Sequence, residues 1–365
     1  MRRISLWSIR LERVWQPRQS VALRMRGVQR GEAPLHFVHP PRLGVRVLKT
    51  CMGPIDKAEL LEEKLPALYR QLQICHLCPR RCEANRLAGE TGYCGGGRET
   101  VVYTAFLHHG EEPGISGKNG SGTVFFSGCS LRCVYCQNFR FSHTLDGIRV
   151  SSDDLGRIMV RLQERGAENI NLVTPTHFLP WIMEGLAKAF RQGLTLPVVY
   201  NTSGYETTET VRLLEDAVDV YLADMRYMTP ALAERYSGAP DYPAVNQAAL
   251  LKMYQQKSAV WEGPLLKQGL IIRHLVLPGC AEEAIKGLTW VRENTPKAII
   301  SLMFQYHPYF EANLYPEINR RVDESEYERV MDFLDELDLE GWSQGLSPDE
   351  NLAGVHFRPS LGGLI

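Results

Sequence analysis

The stretch Thr123-Val124-Phe125-Phe126-Ser127-Gly128-Cys129-Ser130-Leu131-Arg132-Cys133-Val134-Tyr135-Cys136-Gln137-Asn138 decides how this 365-residue chain is read. Its first four residues are an apolar run of strand type, closed by Gly128 and followed at once by Cys129-x3-Cys133-x2-Cys136. A strand that delivers reactive side chains to the loop at its carboxyl end is the arrangement of α/β folds, which build their sites on that face of a parallel sheet. Three thiolates there can ligate three irons of a cubane and leave the fourth iron open. A zinc knuckle or an inert cluster is the competing reading; three cysteines do not close a tetrahedral zinc site, and His143 would have to complete it.

Working outward, the chain alternates between helical and strand patterns. Upstream, Leu60, Leu61, Leu65, Leu68 and Leu72 form an apolar stripe between Asp56 and Ile74, the mark of an amphipathic helix. Downstream, helices are expected over 152–165, 181–191, 208–216, 231–236, 244–257, 282–293 and 324–337. Strands are expected over 169–173, 196–200, 218–223, 270–277 and 298–303. Strands that alternate with helices imply a parallel sheet, open or curved into a barrel, and about six βα units fall short of the eight of a closed barrel.

The residues Gly128 to Asn138 closely resemble the radical S-adenosylmethionine (SAM) signature, in the version carried by activating enzymes of glycyl-radical enzymes. Homologues of the pyruvate formate-lyase activating enzyme are the match, over about Cys75 to Tyr315. The resemblance implies a partial (β/α)6 TIM-like barrel, a [4Fe-4S] cluster on Cys129, Cys133 and Cys136, and SAM bound across the strand ends. Its open iron would take the amino and carboxylate groups of SAM, whose reductive cleavage gives a 5′-deoxyadenosyl radical.

Further positions carry over one by one. Tyr135 sits where the family has an aromatic beside the adenine, with core packing as its ordinary alternative. Asn138 closes the motif and joins the cofactor-binding candidates. The family's Gly-Gly-Glu after the second strand is missing; Val173-Thr174-Pro175-Thr176-His177 stands there, so Thr174 or Thr176 would supply the carbonyl or hydroxyl for the SAM amino group, unless Thr176 is a helix N-cap. Asn201-Thr202-Ser203-Gly204 resembles the turn near the ribose, and Asp224-Met225-Arg226 resembles Asp-Leu-Lys with Arg in place of Lys. Arg273, in Ile-Arg-His-Leu-Val-Leu-Pro-Gly, matches the arginine that meets the SAM carboxylate. His307, in Gln305-Tyr306-His307, resembles another SAM contact.

A second group, Cys75-x2-Cys78-x3-Cys82-x11-Cys94, places four thiols in a glycine-flanked segment, which satisfies either tetrahedral zinc or an Fe-S cluster. Similar cysteines precede the barrel in the homologues named above. Structural zinc is the favoured reading, because such a site stabilises a small module outright, with a second cluster as electron relay the rival. Cys51 and Cys280 stand apart and read as ordinary thiols.

Composition sets the remaining bounds. The net charge of -1 hides a basic head, in which ten arginines and Lys49 face Glu12 and Glu32 before residue 51. That head reads as a nucleic-acid arm, a targeting segment, or residues ahead of a later start at Met25 or Met52; the last is favoured, and no function is assigned to it. The expected partition is a basic extension 1–52, a helix plus cysteine-rich metal module 53–118, a radical SAM core 119–345 and a tail 346–365. No apolar run reaches membrane-spanning length, so a soluble cytoplasmic protein is expected, with neither membrane nor nucleic acid as partner. The family implies reduced flavodoxin or ferredoxin as electron donor and a glycyl-radical enzyme or another protein as substrate. Radical modification of a small molecule or peptide, and Fe-S electron transfer without catalysis, are the alternative functions.

Overall fold

The computed structural model describes the strand Leu35–His39 and residues 53–346 and 354–365. Most of the basic extension 1–52, including Met25, Cys51 and Met52, lies outside the described residues, as does part of the 346–365 tail.

Among the described residues, eleven strands form one sheet: β1 (Leu35–His39), β2 (Thr100–His108), β3 (Ser121–Phe126), β4 (Ile148–Val150), β5 (Ile170–Val173), β6 (Val198–Thr202), β7 (Val220–Asp224), β8 (Val260–Glu262), β9 (Leu265–Leu275), β10 (Ile299–Met303) and β11 (Gly341–Gln344). Their order is β1-β11-β10-β9-β7-β6-β5-β3-β2-β4, with β8 beside β9. From β3 through β5, β6, β7, β9 and β10 to β11 every neighbour is parallel. The six expected parallel strands are present, β11 continues them, and antiparallel β1 and β2 border the parallel run. The protein is an α/β fold with an open, mostly parallel sheet of the partial-barrel type.

Helices between the strands follow from caps and apolar stripes. Helix Ser152–Glu164 starts with a capping box, Ser151 Oγ accepting from Asp154 N while the Asp154 carboxylate accepts from Ser151 N. Its buried Leu155, Ile158, Met159 and Leu162 recur at helical spacing and face the sheet. The same box, with Asp323 and Glu326, opens helix Glu324–Asp335.

Strand β2 extends the sheet beyond the six expected units, so the residue 118/119 boundary falls between two hydrogen-bonded strands of one sheet. Helix Pro54–Arg70 also lies on the core: Tyr69 donates to Glu184 at 2.6 Å on helix Leu179–Arg191, and Lys57 pairs with Asp219 at 3.0 Å. At the other end, Ser360 bridges to Thr104 of β2, and Phe357 packs on Phe106 and Phe125.

The two faces of the sheet differ in kind. One carries Tyr200, Tyr221, Ala223, Ile272 and Leu302 into the large core beneath the helices. The other carries Val199, Val220, Leu222, Ile271 and Ile299 into a second cluster with Ile115 and Trp342. Strand periodicity puts Asn201, Asp224, Arg273 and Ser301 on this second face, two residues nearer the carboxyl ends. This face thus turns from apolar to polar toward the end where the cysteine loop leaves β3.

Candidate active site

The polar layer is built around Arg273. Its Nε donates to Asp224 Oδ1 at 2.8 Å, its Nη2 donates to Asn201 Oδ1 at 2.6 Å, and Glu111 Oε2 lies 3.6 Å from Nη1. Asp224 also takes Arg226 Nη2 on its other oxygen. Glu111 accepts from Asn171 Nδ2 at 3.0 Å. Burial raises the Glu111 and Glu112 carboxyls above the usual range, with Arg273 pulling the other way. Three carboxyl groups therefore face two guanidiniums. Glu112 Oε2, Asn171 Oδ1, Arg226 Nε, Gln305 Oε1 and His307 Nδ1 are buried with no hydrogen-bond partner among the described residues. A buried layer with unmet donors and acceptors suits a polar ligand.

Above this layer runs the cysteine loop. Gly128 adopts φ +83°, and a Cβ there would meet the Cys94 carbonyl oxygen at 2.5 Å, so the turn requires glycine. Cys129 Sγ accepts from Leu131 N at 3.3 Å, Cys133 Sγ accepts from Ser237 Oγ at 3.1 Å, and Cys136 Sγ lies 3.2 Å from Ser142 Oγ. Burial pushes the Cys129 thiol up and the Cys136 thiol up to about 12. Thiols held neutral by burial become thiolates when a metal takes the proton's place, and the three donors stand ready for that charge. The three side chains thus fit an iron cluster. His143 packs against the Phe310 ring, and burial lowers it to about 4.

The Radical SAM superfamily description matches residues 123–245, a span that runs from β3 past the end of β7 into helix Tyr242–Gln256. The uncharacterized protein MJ0674 of Methanocaldococcus jannaschii is 31% identical over 296 residues, covering 78% of this chain and 81% of that protein. The chain belongs to the radical SAM superfamily. Two crystal structures of Streptococcus suis SuiB, one bound to S-adenosylmethionine, match with a TM-score of 0.42 and 17% identity over 60% of this chain. The chain covers 47% and 48% of those two, about half their length.

Within this radical SAM site the candidates fall into place unevenly. Asn201, Asp224 and Arg273 meet in one network. Thr174 follows β5 with φ +56°, its N–H donating to Asn201 O at 2.8 Å. The Thr176 hydroxyl instead donates to Glu206 Oε1, on the helix-facing side with Tyr200. Tyr135 is buried, its hydroxyl 2.8 Å from that of Tyr227 and its ring edge-on to Tyr236 and Tyr306. Asn138 caps the short helix Phe139–Ser142 in position only, without a side-chain cap bond, and its Oδ1 lies against Gly354. His307 stacks on Tyr309 at 4.4 Å. Glu111, Glu112 and Asn171 were not expected from the sequence.

Upstream, Cys82 Sγ and Cys94 Sγ both border Gly92, and Gly96 N donates to Cys94 Sγ at 3.3 Å. Burial raises the Cys75 and Cys78 thiols, each raised further by its cysteine neighbours, and lifts Cys94 to about 11. Among the described residues, though, no three His, Cys, Asp or Glu stand at the spacing of a single metal ion. Arg86, fully buried, donates to the carbonyls of His177 and Gly97 and ties this segment to the barrel. All eight cysteines of the described residues are free thiols. No helix among the described residues is long and apolar enough to cross a membrane.

Proposed function

We propose that Cys129, Cys133 and Cys136 hold a [4Fe-4S] cluster, that SAM binds between it and the polar layer, and that the enzyme is a glycyl-radical-enzyme activase taking hydrogen from a backbone glycine of a partner protein. The observation that carries this is three free thiols, each with a hydrogen-bond neighbour, set beside a buried polar layer with unmet donors and acceptors. When bound, the cluster supplies one electron to the sulfonium and releases a 5′-deoxyadenosyl radical. The chain's own residues do the placing. Asp224 and Asn201 fix the Arg273 fork so that its orientation is set before ligand arrives. Glu111 and Glu112, whose carboxyls burial raises, offer hydrogen-bonding oxygens to a polar group, and the apolar cluster of Ile115, Leu222, Ile271 and Trp342 closes the far end to water.

The four upstream thiols would have to draw together to take zinc, the metal of our reading, since no three of them stand at single-ion spacing in this structure; reduced flavodoxin or ferredoxin would serve as electron donor in a cytoplasmic setting. Metal analysis decides the first point: about four irons plus zinc per chain fits zinc, and about eight irons means a second cluster. The main reading is tested anaerobically, with reconstituted protein, SAM and dithionite. Wild type forms 5′-deoxyadenosine and Cys133→Ala does not; a fully loaded wild type that forms none sinks it. Deuterium passing from an α-deuterated glycine peptide into 5′-deoxyadenosine supports the activase. Transfer from a small molecule instead would replace that part of the proposal.

A further inference from the structure

Ser237, the last residue of helix Pro230–Ser237, is buried, and its hydroxyl reaches Cys133 Sγ across 104 residues of sequence. The same oxygen lies 2.8 Å from Tyr227 OH, which lies 2.8 Å from Tyr135 OH. Each hydroxyl has one proton to donate, and a thiolate that ligates iron has none. Ser237 therefore donates to Cys133, must accept from Tyr227, and Tyr227 in turn must accept from Tyr135. Arg226 borders the Tyr135 hydroxyl at the head of this row. Every bond in the row points toward the sulfur, and aligned donors polarise one another.

The row is held in place from outside. Val134 N donates to Tyr236 O at 2.9 Å, joining the cysteine loop to the helix end. Arg80, between Cys78 and Cys82, donates to Ser130 O at 2.8 Å, Leu131 O at 3.3 Å, Ser237 O at 2.7 Å and the Gly238 carbonyl. One guanidinium from the upstream segment thus clamps the loop and the helix end together.

We propose that Ser237, aligned by Tyr227 and Tyr135 and clamped by Arg80, is a positioning residue that raises the reduction potential of the cluster on Cys133. This rests on the radical SAM reading above. A single electron from an external one-electron reductant takes the cluster from the 2+ to the 1+ state; no bond forms or breaks, and the hydroxyl protons stay where they are. The added charge spreads onto the ligating sulfurs, so a donor on Cys133 stabilises the reduced state more than the oxidised one.

The test is a redox titration of the anaerobically reconstituted full chain, followed by electron paramagnetic resonance without SAM. Ser237→Ala should load the same iron and show a lower midpoint, with the reduced-to-oxidised ratio at a fixed potential down about tenfold, or about 59 mV for one electron. Tyr227→Phe should move the midpoint the same way by less, and Ser237→Thr should restore it. An unchanged or higher midpoint in a fully loaded Ser237→Ala overturns the proposal, even where wild type forms 5′-deoxyadenosine and the radical SAM reading stands. If Ser237→Ala holds no iron, Tyr227→Phe decides alone: a lower midpoint supports the proposal and an unchanged one overturns it.

Discussion

The two cysteine groups use the same side chain at similar spacing, yet they are built as opposites. Cys129, Cys133 and Cys136 sit over a polar layer with unmet hydrogen bonds. Cys75, Cys78, Cys82 and Cys94 sit among glycines, with Arg86 buried beside them and Arg80 reaching away to the other loop. In the proposed reading, three ligands over a polar space would leave room for a substrate at the metal, whereas four ligands against backbone would not. On that reading the first group would react and the second, through Arg80, would hold the reacting loop in shape.

The largest effect expected from this contrast comes from exchanging one cysteine in each group. Cys133→Ala should take 5′-deoxyadenosine formation to background. If the upstream group holds the proposed structural metal, Cys94→Ala should lower the melting temperature, because loss of such a metal is loss of folding free energy. Its product formation per loaded cluster should stay above about a tenth of wild type, a barrier change of roughly 1.4 kcal/mol. Background activity in a Cys94→Ala variant that is fully loaded with iron at the barrel site would erase the distinction.

Next comes the layer beneath the open site. Arg273→Ala leaves Asp224 and Glu111 without their shared cation and should destabilise the fold by about 3–5 kcal/mol in denaturant titration. Arg273→Lys restores a charge but not the fork, so it should recover part of the stability and little of the SAM affinity.

Glu206 sharpens the comparison at the seam between the groups. Burial lifts its carboxyl from the ordinary 4.5 to about 7, although Thr176, Thr202 and Tyr200 hydroxyls work against this. Between those values the native protein keeps a proton that the unfolded chain has released. Its stability therefore falls as pH rises from 4.5 to 7 and is level above, a loss of about 3 kcal/mol in all. Glu206→Gln should lack this decline, so its advantage over wild type in chemical denaturation grows across that window. Parallel profiles for the two proteins would show that Glu206 is ionised throughout.

What was legible in the sequence was local. The loop Cys129–Cys136 follows its strand within a few residues, and the alternation of strands with capped helices is a pattern of short windows. Strand β2 escaped notice because residues 100–105 are buried without alternation, so no period marks them. Glu111 and Glu112 follow that strand and reach Arg273, far away in sequence, only once the sheet has formed. Arg80 and Ser237 were hidden for the same reason: their meaning lies in which carbonyls and sulfur the fold brings to them. Tyr135 shows the converse, since a motif position expected beside adenine has its hydroxyl in a buried hydrogen-bond row.

Thr174 gives the smallest effect and bears on the rim of the open site. It stands where the family pattern has glycine, and its φ of +56° is a region that β-branched residues avoid. Holding it there costs about 1–2 kcal/mol, and glycine at the same place would avoid that while gaining freedom in the unfolded chain. Thr174→Gly should therefore stabilise the protein by up to about 1 kcal/mol, seen as a higher denaturant midpoint at unchanged slope. The Thr176 hydroxyl is committed to Glu206, so in the proposed SAM site the carbonyl or the hydroxyl of Thr174 would meet the SAM amino group. SAM affinity separates these: a carbonyl contact survives the change to glycine, whereas a hydroxyl contact is lost with the side chain and weakens binding about tenfold. A variant that is more stable yet binds more weakly would show why threonine is kept in a conformation that suits glycine.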